Sequence, residues 1–175
     1  MPNADPVIVK GLRRDSEDNE GNTVAFSGEH VALTLTALNS FEPNFVGVGQ
    51  VLCRGGSECL VPGKRFIARL LVFNIIIPIM KGTRADLFVH SLCEACTIVK
   101  LEAIINKASG QVTKRKPRFI CFLRCLTKNV YGVVEIETDR VICIESYSQC
   151  RPLGRVTLRS AGQTIAAGII EKVFE

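Results

Sequence analysis

Polar and apolar side chains alternate along much of this chain, most clearly from Leu153 to Val173, LGRVTLRSAGQTIAAGIIEKV. Arg155, Thr157 and Arg159 interleave with Val156 and Leu158. A period of two puts the three polar side chains on one face of a strand and the apolar pair on the other. Gly162 supplies the backbone freedom for a tight turn. Thr164 to Ile170 then reads as a second strand, small and apolar on both faces, which suits a strand buried on both sides. The segment is therefore expected to be a hairpin with one strand deep in a core and a partner turning two arginines outward. That outward face is either solvated surface or a contact surface for a protein or an RNA.

Earlier segments repeat the pattern. Pro6 to Leu12 is a short strand, and the charged run Arg13 to Asn22 is a loop. Asn22 to Phe26 is expected to be a second short strand. His30 to Leu38 alternates, with Val31, Leu33 and Leu35 on one face. Another short strand is expected over Gln50 to Arg54. Arg54 to Gly63 is rich in Gly, Ser and Pro, which marks 55–63 as a linker. Arg65 to Ile77 is a long β-rich run, interrupted by Asn74 and Pro78. Only about eleven residues separate Arg69 from Lys81, too few for a membrane span of ~20. Arg84 to Ser91 and Ala95 to Ile105 are further strands, with Lys100 and Glu102 on the polar face of the second. Val130 to Glu137 and Arg140 to Ser146 are expected to pair as a hairpin around Thr138-Asp139. No amphipathic helix of convincing length occurs. Many short strands separated by turn signals predict an all-β protein built as an antiparallel barrel.

Charge is unevenly spread. Residues 1–63 carry four basic and eight acidic side chains, a net of −4, and residues 64–175 carry 18 basic and nine acidic, a net of +9. The change falls at the linker and supports a boundary there, with 1–54 and 64–175 on either side. A basic second part favours an anionic partner, with RNA ahead of a membrane surface. Lys114, Arg115, Lys116 and Arg118 concentrate that charge after the turn signal at 106–111.

The eight cysteines are even in number, but several sit inside apolar strand-like runs, where a free thiol behaves as a small hydrophobe. No secretory signal pattern opens the chain, so a reducing, cytosolic setting is expected. Cys93-Glu94-Ala95-Cys96 has the C-x-x-C spacing, but on a strand an offset of three points the two sulfurs to opposite faces. No second such pair follows, and His30 and His90 are the only histidines. Neither a metal site nor a disulfide framework is expected.

Catalytic patterns are missing. The sequence has no G-x-x-x-x-G-K-[ST] phosphate loop. Without one, neither the D-x-x-G match at Asp18 to Gly21 nor the N-K start at Asn106-Lys107 can hold a nucleotide. No Ser or Cys has a base-bearing context. Glu135 and Glu137 share a strand face, and such a pair is read as solvated rather than as an acid–base couple. No enzyme is expected.

Several of these residues resemble a known family, the translational GTPases of the elongation-factor-Tu type. Their third domain closes on a hairpin with the landmarks L-G-R-[FV]-x-[LV]-R and T-[IV]-A-x-G. Here they stand as Leu153 to Arg159 and Thr164 to Gly168. Arg65 to Ile79 and Ser109 to Pro117 resemble one branch, the HBS-one-like ribosome-rescue GTPase that partners Pelota. Gly28 to Leu33 and Gly49 to Cys53 resemble the second half of the preceding domain. The GTPase release factor is the next closest branch. Residues 119–124 stand as an insertion where the family runs from K-P-R into C-L-T-K.

The resemblance implies a partial second barrel over 1–54 and a third-domain barrel over 64–175. It implies that the GTPase domain, with its GTP and magnesium, belongs to full-length relatives and not to this polypeptide. In such factors the two barrels hold a tRNA or a tRNA-mimicking protein and present it to the ribosome. The rescue branch implies Pelota as cargo, a cytoplasmic setting and no membrane. Arg155, Thr157 and Arg159 fall in the motif associated with gripping the cargo. Lys114, Arg115, Lys116 and Arg118 are expected to contact ribosomal RNA. The alternatives are a region of the release factor or a free-standing RNA-binding barrel.

Overall fold

A computed structural model describes residues 1–14, 24–37, 46–56, 59–105, 112–115 and 125–174. The chain forms two compact units, Asn3–Gly47 and a larger one made of Met1–Pro2 with Val48–Glu175.

In the smaller unit, β1 (Val7–Arg14) pairs antiparallel with β2 (Val31–Ala37), with a register shift between Val9 and Gly11. Arg13 and Arg14, expected to open a loop, are strand residues paired with Ala32 and Val31, and the rest of that expected loop lies outside the described residues. Val24 to Phe26 is not a strand but the approach to a turn. Glu29 closes that turn by accepting from the Phe26 amide (2.8 Å) and pairing with Arg14 (3.4 Å). Arg14 also lies over the Phe26 ring. Local polar contacts here outcompete the short apolar run.

The larger unit is a closed six-stranded antiparallel barrel. Its strands are β3 (Gly63–Val72), β5 (Arg84–Val89), β6 (Leu92–Ile105), β9 (Tyr131–Ile142), β10 (Arg155–Ser160) and β11 (Gln163–Phe174). They follow the order β5-β10-β11-β3-β9-β6, and β6 returns to β5 to close the ring. The strand β7 (Val112–Arg115) adds to the far part of β6, while β4 (Ile79–Met80) and β8 (Cys125–Leu126) form a separate small pair. Closure removes the unpaired edges that an open sheet would expose.

Strand alternation builds the core. Phe66, Ala68, Leu70 and Val72 of β3 all point inward and are fully buried. Leu87 and Val89 of β5, Ile98 of β6, Val134 and Ile136 of β9, and Val156 and Leu158 of β10 meet them. Each fully buried aliphatic or Phe side chain contributes about 1.5–3 kcal/mol. With no Trp in the chain, aliphatic residues fill the interior.

Four expectations change in this unit. The predicted hairpin at Thr138-Asp139 is instead the interior of one strand, β9. Thr138 is buried, and its hydroxyl is shared between the carbonyls of Lys64 (3.0 Å) and Arg140 (2.6 Å), so a pair with turn chemistry continues the strand. Gln50 to Arg54 is not a strand, although Val51 exchanges two backbone hydrogen bonds with Met1 (3.1 and 3.2 Å). The long run from Arg65 ends as a strand at Val72, and Ile76 is left 98% exposed beyond it. Glu135 is not solvated: it is buried and pairs with Arg65 at 2.5 Å, with Lys100 at 3.9 Å. Lys100 also pairs with Glu102, as their shared face predicts.

Candidate partner-binding face

The hairpin β10–β11 positions the motif residues. Ser160 faces Gln163 across a two-residue turn in which Ala161 and Gly162 both have positive φ, 49° and 77°. Two such residues match the twist of a hairpin, and glycine adopts this region without strain. In β10, Val156 and Leu158 are locked in the core while Arg155, Thr157 and Arg159 take the other face.

The partner strand β11 is buried on one side only, contrary to expectation. Ala166 and Ile170 face the core, whereas Ala167 and Ile169 are half-buried on the outer face. The strand runs close to its neighbour at Gly168. A Cβ there would sit 1.8 Å from the Arg69 carbonyl oxygen, so only glycine fits.

Register carries this outer face across the barrel. Thr157 stands opposite Phe88 on one side and Ala167 on the other, and the same rung continues through Leu71 to Tyr131. The next rung runs Arg155, Ile169, Arg69, Val133, Ala103 and Arg115. Phe88, Thr157, Ala167, Leu71, Tyr131, Ile169 and Val133 are all half-buried, while Arg155 and Arg69 are exposed. The result is a half-exposed apolar band crossed by cationic side chains.

Both motif arginines are braced by aromatic rings. The Arg155 guanidinium lies 5.8 Å from the Tyr147 ring centroid, and that of Arg159 lies 5.5 Å from Phe88. The Tyr147 amide donates to the Ile170 carbonyl at 2.9 Å, which fixes the tyrosine against β11. The hydrogen bond from Arg155 draws the Tyr147 phenol below its ordinary value, aided by the charges of Arg155 and Arg151 and opposed by desolvation. Arg159 Nη2 donates to the Gly162 carbonyl at 2.6 Å, and its Nε is buried without a partner. Stacking leaves the edge of the exposed Arg155 guanidinium available for a carboxylate or phosphate. Arg69 is the third cation of the face and is held by an ion pair with Glu171.

Of the basic segment, Lys114 and Arg115 lie on β7, at register positions opposite Ile104 and Ala103. Lys116, Arg118, Cys121 and the insertion 119–124 lie outside the described residues. Sequence reasoning missed Phe88, Leu71, Ile169 and Arg69 as members of this face. Their alternation was visible, but which rung each occupies follows only from the pairing of β5, β10, β11 and β3.

Other chemistry is sparse. Cys93 is exposed and Cys96 buried, so the C-x-x-C pair is split between faces. Burial pushes the Cys96 thiol up to about 12, with the nearby Asp86 charge acting in the same direction. Among the described residues, no group of three or more His, Cys, Asp or Glu side chains could hold a metal ion. Among them too, no helix is long and apolar enough to cross a membrane. A cavity of about 670 Å³ lies between Val51, Cys53, residues 59–62, the turn from Ile144 to Leu153, and the end of β11.

Comparison with known proteins defines the class. A family described as GTP-eEF1A C-terminal domain-like matches residues 65–171, and the chain belongs to that family. Protein HBS1 of Drosophila melanogaster is 43% identical over 151 residues, covering 86% of this chain and 21% of that protein. The eukaryotic peptide chain release factor GTP-binding subunit of Zygosaccharomyces rouxii is 30% identical over the whole chain, which covers 25% of it. The chain thus spans about a quarter or less of these two relatives. The crystal structure of Sup35 complexed with GDP superimposes with a TM-score of 0.83 at 24% identity, covering all of this chain and 40% of that one. The barrel architecture and its kinship with HBS1 and release-factor C-terminal domains agree with the expectation from sequence.

Proposed function

We propose that this chain is the non-catalytic C-terminal part of an HBS-like translational GTPase, and that the outer barrel face around Arg155, Thr157 and Arg159 binds a Pelota-type, tRNA-mimicking protein in ribosome rescue and surveillance of stalled mRNA. The observation that carries this reading is the pair of arginines braced on Tyr147 and Phe88 beside a half-exposed apolar band. Protein interfaces combine an apolar centre with Arg and aromatic anchors. The higher identity to HBS1 than to the release factor supports the rescue branch; the release factor is the alternative.

Residues 1–54 then correspond to part of a second barrel, 55–63 to a linker and 64–175 to the third domain. Lys114, Arg115, Lys116 and Arg118 steer the complex toward ribosomal RNA, in the cytoplasm and without a membrane. The chain itself takes neither GTP nor magnesium, since its sequence carries no phosphate loop. Purified chain should co-purify with Pelota at physiological salt, and an RNA pulldown in parallel should show weaker, salt-sensitive capture. RNA capture without Pelota binding would favour the free-standing RNA-binding barrel.

A further inference from the structure

The cavity beside the end of β11 carries three thiols, Cys53, Cys59 and Cys150, on its lining. Two of them meet: the sulfurs of Cys53 and Cys59 lie 3.5 Å apart and share a hydrogen bond. Both cysteines are half-buried rather than sealed in the core. They flank Gly55 and Gly56, where Gly56 has φ of 79° and a Cβ at either glycine would meet nothing within 4 Å. The Cys59 amide donates to the Gly56 carbonyl at 3.2 Å, which curls the chain back on itself. The open space at Gly55 and Gly56 leaves backbone freedom next to Cys53 for the remaining gap to close to a sulfur–sulfur bond, which has a length of about 2.05 Å.

We propose that Cys53 and Cys59 form a reversible dithiol–disulfide site, oxidised by a small-molecule disulfide such as oxidised glutathione reaching them through this cavity. One thiolate attacks a glutathione sulfur and a glutathione thiolate leaves. The second protein thiolate then attacks the protein-side sulfur of the mixed disulfide and releases the other glutathione. The protein loses two electrons and two protons, and oxidised glutathione becomes two reduced molecules. The other cysteines fit this chemistry less well. Cys96 and Cys143 are buried, out of reach of a small-molecule disulfide, whereas Cys59, although its hydrogen bond with Cys53 also raises its thiol, is half-buried beside the cavity. Cys93 is exposed on the opposite face of its strand from Cys96. The bridge would fasten one wall of the cavity, leaving the outer face of β10 untouched.

The test is peptide mapping of the full chain after equilibration in glutathione buffers of rising oxidised fraction. Trypsin cuts after Arg54, so a Cys53–Cys59 bridge holds two peptides together that reduction separates. The expected result is loss of two free thiols in one step, with that linked pair as the main product. Cys93 should carry only a glutathione adduct under the same conditions. Cys53→Ser and Cys59→Ser should each stop at an adduct on the remaining partner, while Cys150→Ser should bridge like the unaltered chain. A stable adduct on Cys53 or Cys59 in the unaltered chain, or a bridge to Cys150 instead, would overturn the proposal. The mapping of the unaltered chain decides even if a variant fails to fold.

Discussion

The guanidinium of Arg159 lies 5.5 Å from the ring centroid of Phe88 on the neighbouring strand. The two residues are diagonal neighbours, since Phe88 faces Thr157 and Arg159 faces Asp86. The ring therefore helps to hold an arginine that would otherwise lose side-chain entropy on binding. Phe88→Ala should leave the core intact, because Phe88 is only half-buried. It should weaken partner binding by about 0.5–1 kcal/mol, the worth of an exposed cation–π pair, which is roughly two- to fivefold in affinity. Calorimetric titration of the variant against Pelota checks this. Unchanged affinity would show that Arg159 needs no brace.

Gly168 offers a test of the close approach between β11 and β3. A methyl group there would collide with the Arg69 carbonyl oxygen, a backbone atom that cannot swing aside. Gly168→Ala should destabilise the barrel by about 2–3 kcal/mol, as overpacking in a rigid site does. Thermal melting reads the loss, and a variant melting with the unaltered chain would contradict the geometry.

The barrel was legible in the sequence because its strands alternate cleanly. Val156 and Leu158 went inward as read, and so did the hairpin with its turn at Gly162. Thr138-Asp139 misled because local turn chemistry resembles a break, and it takes a tertiary partner, the Lys64 carbonyl on β3, to hold Thr138 within a continuing strand. Glu135 misled for a related reason. Its carboxylate is buried because Arg65 arrives from β3 and Lys100 from β6, two strands distant in sequence. The motif arginines were legible as outward-facing. Their braces were not, since Tyr147 and Phe88 reach them from the turn before β10 and from β5.

The split C-x-x-C pair makes a chemical prediction. Cys96, with its thiol pushed to about 12, stays protonated and buried at pH 8, whereas Cys93 is exposed. Iodoacetamide at pH 8 should label Cys93 and spare Cys96 until the chain unfolds. Linkage gives the matching stability trend. Between the ordinary value of 9.0 and about 12, the unfolded chain releases the Cys96 proton while the folded chain keeps it. The folded state then binds more protons, so stability falls as pH rises through that window and is unaffected by this group below it. Equal labelling of both thiols in the native state would contradict the burial of Cys96.

The central claim concerns Arg155 and Arg159, and the most direct measurement is the affinity of the Arg155→Ala, Arg159→Ala double variant for purified Pelota at two salt concentrations. Both side chains stand on a strand whose other face is locked in the core, so the fold should survive their loss. Anchors of this kind typically cost on the order of 2 kcal/mol or more when truncated, roughly a thirtyfold loss of affinity. Replacing Lys114, Arg115 and Lys116 should instead lower ribosome association in a salt-dependent way and leave Pelota affinity near that of the unaltered chain. The account predicts a folded double variant, by circular dichroism, that binds Pelota at least tenfold more weakly at both salt concentrations. A folded double variant that binds Pelota as tightly as the unaltered chain would contradict it, and the outer face of β10 would then be solvated surface.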